Sequence, residues 1–190
     1  MKELDEQEKK ILTELVRNPR ISDNQIGAKT NIPVKTVNRK RKIMEKEGII
    51  YYMTYIDHGE TGTGIFLSQN MYIIKLRYGI TAALVNEKFP FLMNTHVMNK
   101  HVIFSSFGEV DGHITLIILL ESYRSQDIIE IFNAEIVSSI NNYLGRDAIV
   151  DVKSMPVRRN AKIMHNYMPF VNMDNGIIKK DWSNNNIFIG

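Results

Sequence analysis

Two prolines and a glycine divide the first fifty residues into three short helices, and this punctuation constrains the fold more than any other feature of the chain. Asp5 followed by Glu8 reads as a capping pair, because the first carboxylate can accept from an exposed backbone N–H while the second reaches back. Ile11, Leu12, Leu15 and Val16 then recur at helical spacing until Asn18-Pro19 stops the run. Ser22 with Gln25 forms a second capping box, with Ile21 and Ile26 at the staple positions around it. That helix should end near Asn31. Ile32-Pro33 forces a turn, a third helix begins near Val34, and Gly48 closes it after Glu47. Three helices with a tight turn between the second and third make a helix-turn-helix.

Charge is concentrated on the third helix. The net charge is +3, yet residues 1–50 carry 12 Lys/Arg against 8 Asp/Glu, so the positive excess lies at the N-terminal end and suggests a polyanionic partner for that part. Advancing about 100° per residue from Val37 places Val34, Val37 and Met44 within about 80° of one another, facing inward. Lys35, Asn38, Arg39 and Lys42 fall on the opposite side. Cations there suit phosphates and guanine edges, and Asn38 can read adenine through both its amide groups. Thr36, on the flank, reads as a phosphate contact. The partner expected is double-stranded DNA.

Ile49 to Ile56 reads as a strand carrying three tyrosines, and HGETGTG, His58 to Gly64, as a wing or linker hairpin. Its glycines do not form a phosphate loop, and no helix start follows. From Met71 the pattern alternates through Tyr72, Ile74, Leu76 and Tyr78, a strand with one buried face. A helix is expected from Thr81 to about Phe89, limited by Pro90. Strands follow at His101–Phe107 and Ile114–Leu120, separated by a turn over Gly108–Gly112; the second of them, apolar almost throughout, should be central. A long amphipathic helix over Ser125–Leu144 and a last strand at Ile149–Val157 complete a β-α-β-β-α-β order, which is ferredoxin-like. The fold class is therefore α+β: an N-terminal winged helix-turn-helix followed by a ferredoxin-like domain. The expected boundaries are 1–57 for the DNA-binding domain, 58–70 for the wing or linker, 71–157 for the ferredoxin-like domain and 158–190 for a C-terminal extension. The extension carries Met164, Tyr167, Met168, Phe170 and Trp182, too apolar for a disordered tail. It could add a strand to its own sheet or clasp a neighbouring subunit.

The stretch from Leu4 to Ile50 resembles the Lrp/AsnC (feast/famine) family of prokaryotic transcriptional regulators. It carries Leu4-Asp5, Arg20-Ile21-Ser22, and Met44-Glu45 with Gly48-Ile49-Ile50, and Arg39 matches a basic residue that the family commonly uses on DNA. Two positions depart from the pattern. Pro33 stands where a Ser cap is usual, and Arg41 stands where an apolar residue is usual, on the packing face of the wheel. Either Arg41 snorkels past the core edge or the helix is rotated or shortened. With the second half, the resemblance covers roughly residues 3–157. It implies sheet-mediated homodimers or larger assemblies and a small-molecule effector, such as an amino acid, near the Gly-x-x-Asp turn. Those residues are Gly108 and Asp111 here, which would otherwise simply serve the turn, Gly108 with a positive φ and Asp111 as its cap.

With no cysteine, disulfides, thiolate metal sites and a Cys nucleophile are excluded, and the cytoplasm is the expected compartment. MKELDEQEKK has no apolar segment of the signal-peptide kind, and Leu116–Leu120 is too short to cross a bilayer, so no membrane partner is expected. No cofactor, metal or enzymatic constellation is expected. The alternative is a sirohaem-decarboxylase-like enzyme on the same two-part arrangement, for which His58, His96, His101, His113 and His165 are the only histidines, none paired at i, i+4. A third reading is an architectural protein that coats DNA with little sequence preference.

Overall fold

The computed structural model describes residues 3–60, 62–92, 94–158 and 160–189, so Thr61 in the glycine-rich interruption and Gly190 at the end of the extension lie outside the described residues. It divides into two compact units, one built from the residues up to Thr54 together with those from Asn160 onward, the other from Tyr55 to the end of the last long strand.

In the first unit, α1 (Glu6–Arg17), α2 (Asp23–Thr30) and α3 (Val34–Lys46) follow the expected punctuation. Both capping boxes form: Glu8 N donates to Asp5 Oδ1 at 2.8 Å while Asp5 N donates to Glu8 Oε2 at 3.0 Å, and Ser22 and Gln25 exchange the same pair. Asn31 closes α2 at φ 57°, a left-handed conformation that an asparagine tolerates. Gly27 lets α2 and α3 approach closely, since a Cβ there would stand 3.0 Å from Ile32 O and 3.1 Å from Val34 Cγ2. The core is Ile11, Leu12, Leu15, Ile21, Ile26, Ile32, Val37 and Met44.

The strand expected over Ile49–Ile56 does not form: from Ile49 to Leu67 the described residues adopt neither helix nor strand. A strand needs a hydrogen-bonded neighbour, and β-propensity without one leaves the tyrosines in the open, with Tyr51 80% exposed. Nor does the expected 58–70 hairpin make a ladder. Thr63 N donates to Asp57 O and Phe66 N to His58 O, turn bonds that lead into the next strand at Ser68.

The second unit contains β1 (Ser68–Leu76), α4 (Ala82–Leu92), α5 (His96–His101), β2 (Val102–Val110), β3 (His113–Ser122), α6 (Ser125–Ile131), α7 (Ser138–Leu144) and β4 (Ile149–Val157). A π-helical stretch, Phe132–Val137, joins α6 to α7, so the long amphipathic helix is continuous but locally widened. All three ladders are antiparallel and the strand order is β2-β3-β1-β4, the ferredoxin-like arrangement with β3 and β1 central. Tyr72, Ile74, Leu76, Leu116, Ile118 and Leu120 point to the helix-covered face and pack against Ile128, Phe132, Ile136 and Ile140. Three local expectations change. Pro90 lies inside α4 rather than ending it; near the helix C-terminus it forfeits one intrahelical bond only. Thr95 caps an extra turn of helix, α5, where a loop was expected. The turn over Gly108–Gly112 contracts to Asp111 and Gly112, at φ 52° and 74°, while Gly108 stays in β2 opposite Thr115. An Asp-Gly pair with both φ positive is the tight hairpin whose twist matches that of its strands.

Residues 160–189, expected as an extension on its own sheet or on a neighbouring subunit, group within the chain with the three helices. A small hairpin of β5 (Met173–Asp174) and β6 (Ile177–Ile178) and a 3₁₀ turn, Asn184–Asn186, are its regular parts. Arg17, at the end of α1, donates to Trp182 O and to Asn184 Oδ1, and the Tyr167 hydroxyl donates to Val16 O. These groups are where the extension gains its anchorage, because the end of a helix leaves carbonyls without an intrahelical partner.

Candidate nucleic-acid interface

The second helix of the helix-turn-helix presents the residues expected for DNA. Lys35, Asn38, Arg39 and Lys42 are exposed and Thr36 is half-buried. No hydrogen bond or ion pair joins Lys35, Arg39 or Lys42 to another described residue, so three cations stand free on one helix face. The inward face differs from the wheel. Val34 is 41% exposed, whereas Val37, Lys40 and Met44 are buried. The packing face is thus rotated by roughly 40° toward Lys40. The reason is electrostatic: Lys40 is drawn inward by Asp5, with which it pairs directly, and by Glu8 Oε1 at 4.0 Å. The pair holds the Asp5 carboxyl below its usual pKa, chiefly through the Lys40 hydrogen bond and then the backbone N–H of Glu8.

Arg41 does not snorkel into open solvent. Its guanidinium donates from Nη1 to Asp23 Oδ1 at 3.0 Å and from Nε to Glu45 Oε1 at 3.1 Å and the Tyr52 hydroxyl at 2.8 Å. Burial works against its charge, yet the Asp23 bond, with Tyr52 and Glu45, leaves its pKa raised. Asp23 also accepts from Asn38 Nδ2 at 2.7 Å. Asp23 and Tyr52 escaped the sequence reading, which noted Arg41 only as a cation on the packing face. The available signal was the cation on the packing face, which demands an acid nearby, and Asp23 at the start of α2 is the one that the tight turn delivers.

The two residues implied for an effector sit at the β2–β3 hairpin. Asp111 Oδ2 accepts from Lys75 Nζ at 3.1 Å, and the Tyr78 hydroxyl donates to Asp111 O at 3.3 Å. Tyr78 also lies against His113, with ring centres 3.7 Å apart. Gly108 has open space where a Cβ would be and needs no positive φ, so its backbone conformation does not require glycine.

The histidines are scattered. His58 and His101 pack on Phe66 at 5.4 Å and 5.3 Å, beside the buried Glu121 whose backbone carbonyl contacts His101 Nδ1. His96 is at the start of α5, His113 on β3 and His165 in the extension. Among the described residues no group of three His, Asp or Glu converges as metal ligands would.

Residues 4–51 match the family model described as a winged helix-turn-helix DNA-binding domain. The first unit is therefore built on a DNA-binding helix-turn-helix. Over most of its length, 83–86% in the three structures that follow, the chain has the fold seen in solved Lrp/AsnC transcriptional regulators. It superposes on AsnC of Escherichia coli with a TM-score of 0.61 at 16% identity, over 86% of this chain and 97% of that one. The AsnC-family transcriptional regulatory protein PF0864 of Pyrococcus furiosus matches with a TM-score of 0.59 at 13% identity, over 83% and 92%. The transcriptional regulator NMB0573 of Neisseria meningitidis, solved as a complex with L-Met, matches with a TM-score of 0.62 at 17% identity, over 85% and 94%. No curated protein matches the chain by sequence.

Proposed function

We propose that this chain is a sequence-specific DNA-binding transcriptional regulator of the Lrp/AsnC type, acting in a prokaryotic cytoplasm and not as an enzyme. The observation that carries the reading is the exposed face of α3, where Lys35, Arg39 and Lys42 have no partner among the described residues and Asn38 and Thr36 stand beside them. The cations neutralise phosphates and so set affinity and its salt dependence, while Asn38 and Arg39 reach base edges. No described helix is long and apolar enough to cross a membrane.

A homodimer is the proposed working form. The sheet face turned away from the helices carries Met71, Ile73, Ile117 and Leu119, with Phe104 and Met155 on its flanking strands 50% and 54% exposed. An apolar sheet face of this kind supports pairing with a second copy. Two copies of α3 related by a two-fold axis would read half-sites separated by about 10 bp or a multiple of it. An effector of the amino-acid class is proposed near Gly108 and Asp111. The open space at Gly108 and the bound L-Met of the Neisseria relative support this.

Gel shifts at fixed salt test the DNA face. Replacing Arg39 or Lys42 with Ala should weaken binding, and the Lys42→Ala protein should lower the slope of log affinity against log salt by about one. Unchanged affinity in both variants would remove α3 as the contact face.

A further inference from the structure

Asn38 is the one residue of the proposed reading face that is held by the protein itself. Its Nδ2 donates to Asp23 Oδ2 at 2.7 Å, and the other oxygen of the same carboxylate accepts from Arg41 Nη1 at 3.0 Å. Arg41 is held in turn by Glu45 at 3.1 Å and by Tyr52, whose hydroxyl donates to Glu45 Oε1 at 3.0 Å. Asp23 belongs to the first turn of α2, so its backbone is anchored by the Ser22–Gln25 capping box. The carboxylate thus accepts from both Arg41 and Asn38 before any DNA arrives.

A free asparagine amide turns about a broad, two-fold torsion and presents donor and acceptor in either order. Adenine requires one order, since its N7 accepts and its N6 amino group donates. A primary amide has two N–H groups. One can go to Asp23 while Oδ1 and the second N–H remain for a base. A carboxylate has only acceptors, so it binds the nitrogen end of the amide and never the oxygen end.

We propose that Asp23 is a positioning residue for base recognition: by holding the Asn38 amide in one of its two orientations, it gives the protein its preference for adenine at one position of each half-site. The proposal rests on the reading of α3 as the DNA-contacting helix. Asp23 touches no DNA itself. As an anion close to the reading face it opposes phosphate, so its contribution is to selectivity and not to overall affinity. Arg41 and Tyr52 are the buttress that keeps the carboxylate facing Asn38.

The experiment is selection of bound duplexes from a randomised double-stranded pool, using the full-length protein and its Asp23→Ala, Asp23→Ser and Asn38→Ala variants, each with a melting curve. Wild type should enrich a motif with adenine at one column per half-site. Asn38→Ala should flatten that column, and Asp23→Ala should flatten the same column by about tenfold in base preference, leaving the others and the salt slope unchanged. Asp23→Ser keeps a polar helix start but cannot reach Asn38, and should behave like Asp23→Ala. A column flattened by Asn38→Ala but kept in both Asp23 variants overturns the positioning role while leaving the DNA-binding reading intact. Flattening of every column together, with a lowered melting temperature, makes Asp23 merely structural and also overturns it. A wild-type protein that binds DNA but enriches no sequence overturns both the proposal and the sequence-specific reading on which it rests.

Discussion

The first unit is assembled from two segments held together by different means. Residues 3–54 bury apolar side chains from three capped helices, with Ile11, Ile26, Val37 and Met44 fully enclosed. Residues 160–189 contribute little regular structure; they bury Ile178 and Ile187 and lay Ile189 against the helix core, but much of their backbone is satisfied by polar side chains. Asn172 is completely buried; its Oδ1 accepts from Met168 N at 2.9 Å and its Nδ2 donates to Asn166 O at 2.7 Å. Asn166 repeats the device with Phe188, donating to its carbonyl and accepting from its N–H, both at 2.7 Å. Helical segments satisfy their own backbone and can spend their side chains on packing; an irregular segment must satisfy its backbone with side chains.

This contrast predicts that both segments unfold together but for different reasons. Ile11→Ala should cost about 3 kcal/mol, the usual range for an enclosed isoleucine leaving a cavity. Asn172→Ala should cost about 2 kcal/mol, because two partly buried backbone groups, Met168 N and Asn166 O, lose their partner at once. Denaturant titration of each variant measures both. The comparison breaks if Asn172→Ala is neutral, for the extension would then hold its own shape without its amide side chains.

The same contrast explains what was legible in the sequence. The helices of the first unit announce themselves through caps, prolines and a period of about 3.6 residues, all local signals. The order of the second unit was legible too, because alternation in β1 and the apolar run of β3 are also local. The extension was not. Its place depends on Arg17 meeting Asn184 and Tyr167 meeting Val16, pairs more than a hundred residues apart that no periodicity records. The many asparagines held the clue, yet an asparagine reads as turn or solvent unless the buried backbone it serves is known. In the candidate site, the exposed cations were legible from the wheel. The rotation toward Lys40 and the clamp of Asp23 on Asn38 were not, because ion pairs between helices reset which face turns inward.

Acid should separate the two segments further. The Asp5 carboxyl has its pKa lowered, mainly by the hydrogen bond from Lys40, so the stability it contributes is complete above the ordinary aspartate range and is lost as pH falls through the depressed value. Protonation would leave the buried Lys40 ammonium without its direct partner. The amide contacts of Asn166 and Asn172 do not titrate. Thermal melts of the wild type and Asp5→Asn should therefore diverge at neutral pH and converge only once the pH has fallen below the depressed Asp5 value, while Asn172→Ala should run parallel to the wild type throughout. A pH-dependent gap for Asn172→Ala would show that ionisation, and not amide pairing, holds the extension.

The smallest effect is expected at the start of α3. Pro33 precedes the helix at φ −54°, makes no side-chain cap, and accepts at its carbonyl from Thr36 N at 2.8 Å and Val37 N at 3.0 Å. Pro33→Ser would supply a hydroxyl for one of the exposed N–H groups, a gain of about 1 kcal/mol. It would also free the unfolded chain at that position, a loss of about 0.4–1 kcal/mol. The two nearly cancel, so the denaturant midpoint should stay almost where it is. A clear gain would mean that the proline is retained at a cost in stability, which the tight α2–α3 turn, with Val34 against Gly27, would then have to justify through the way it presents Lys35 and Asn38.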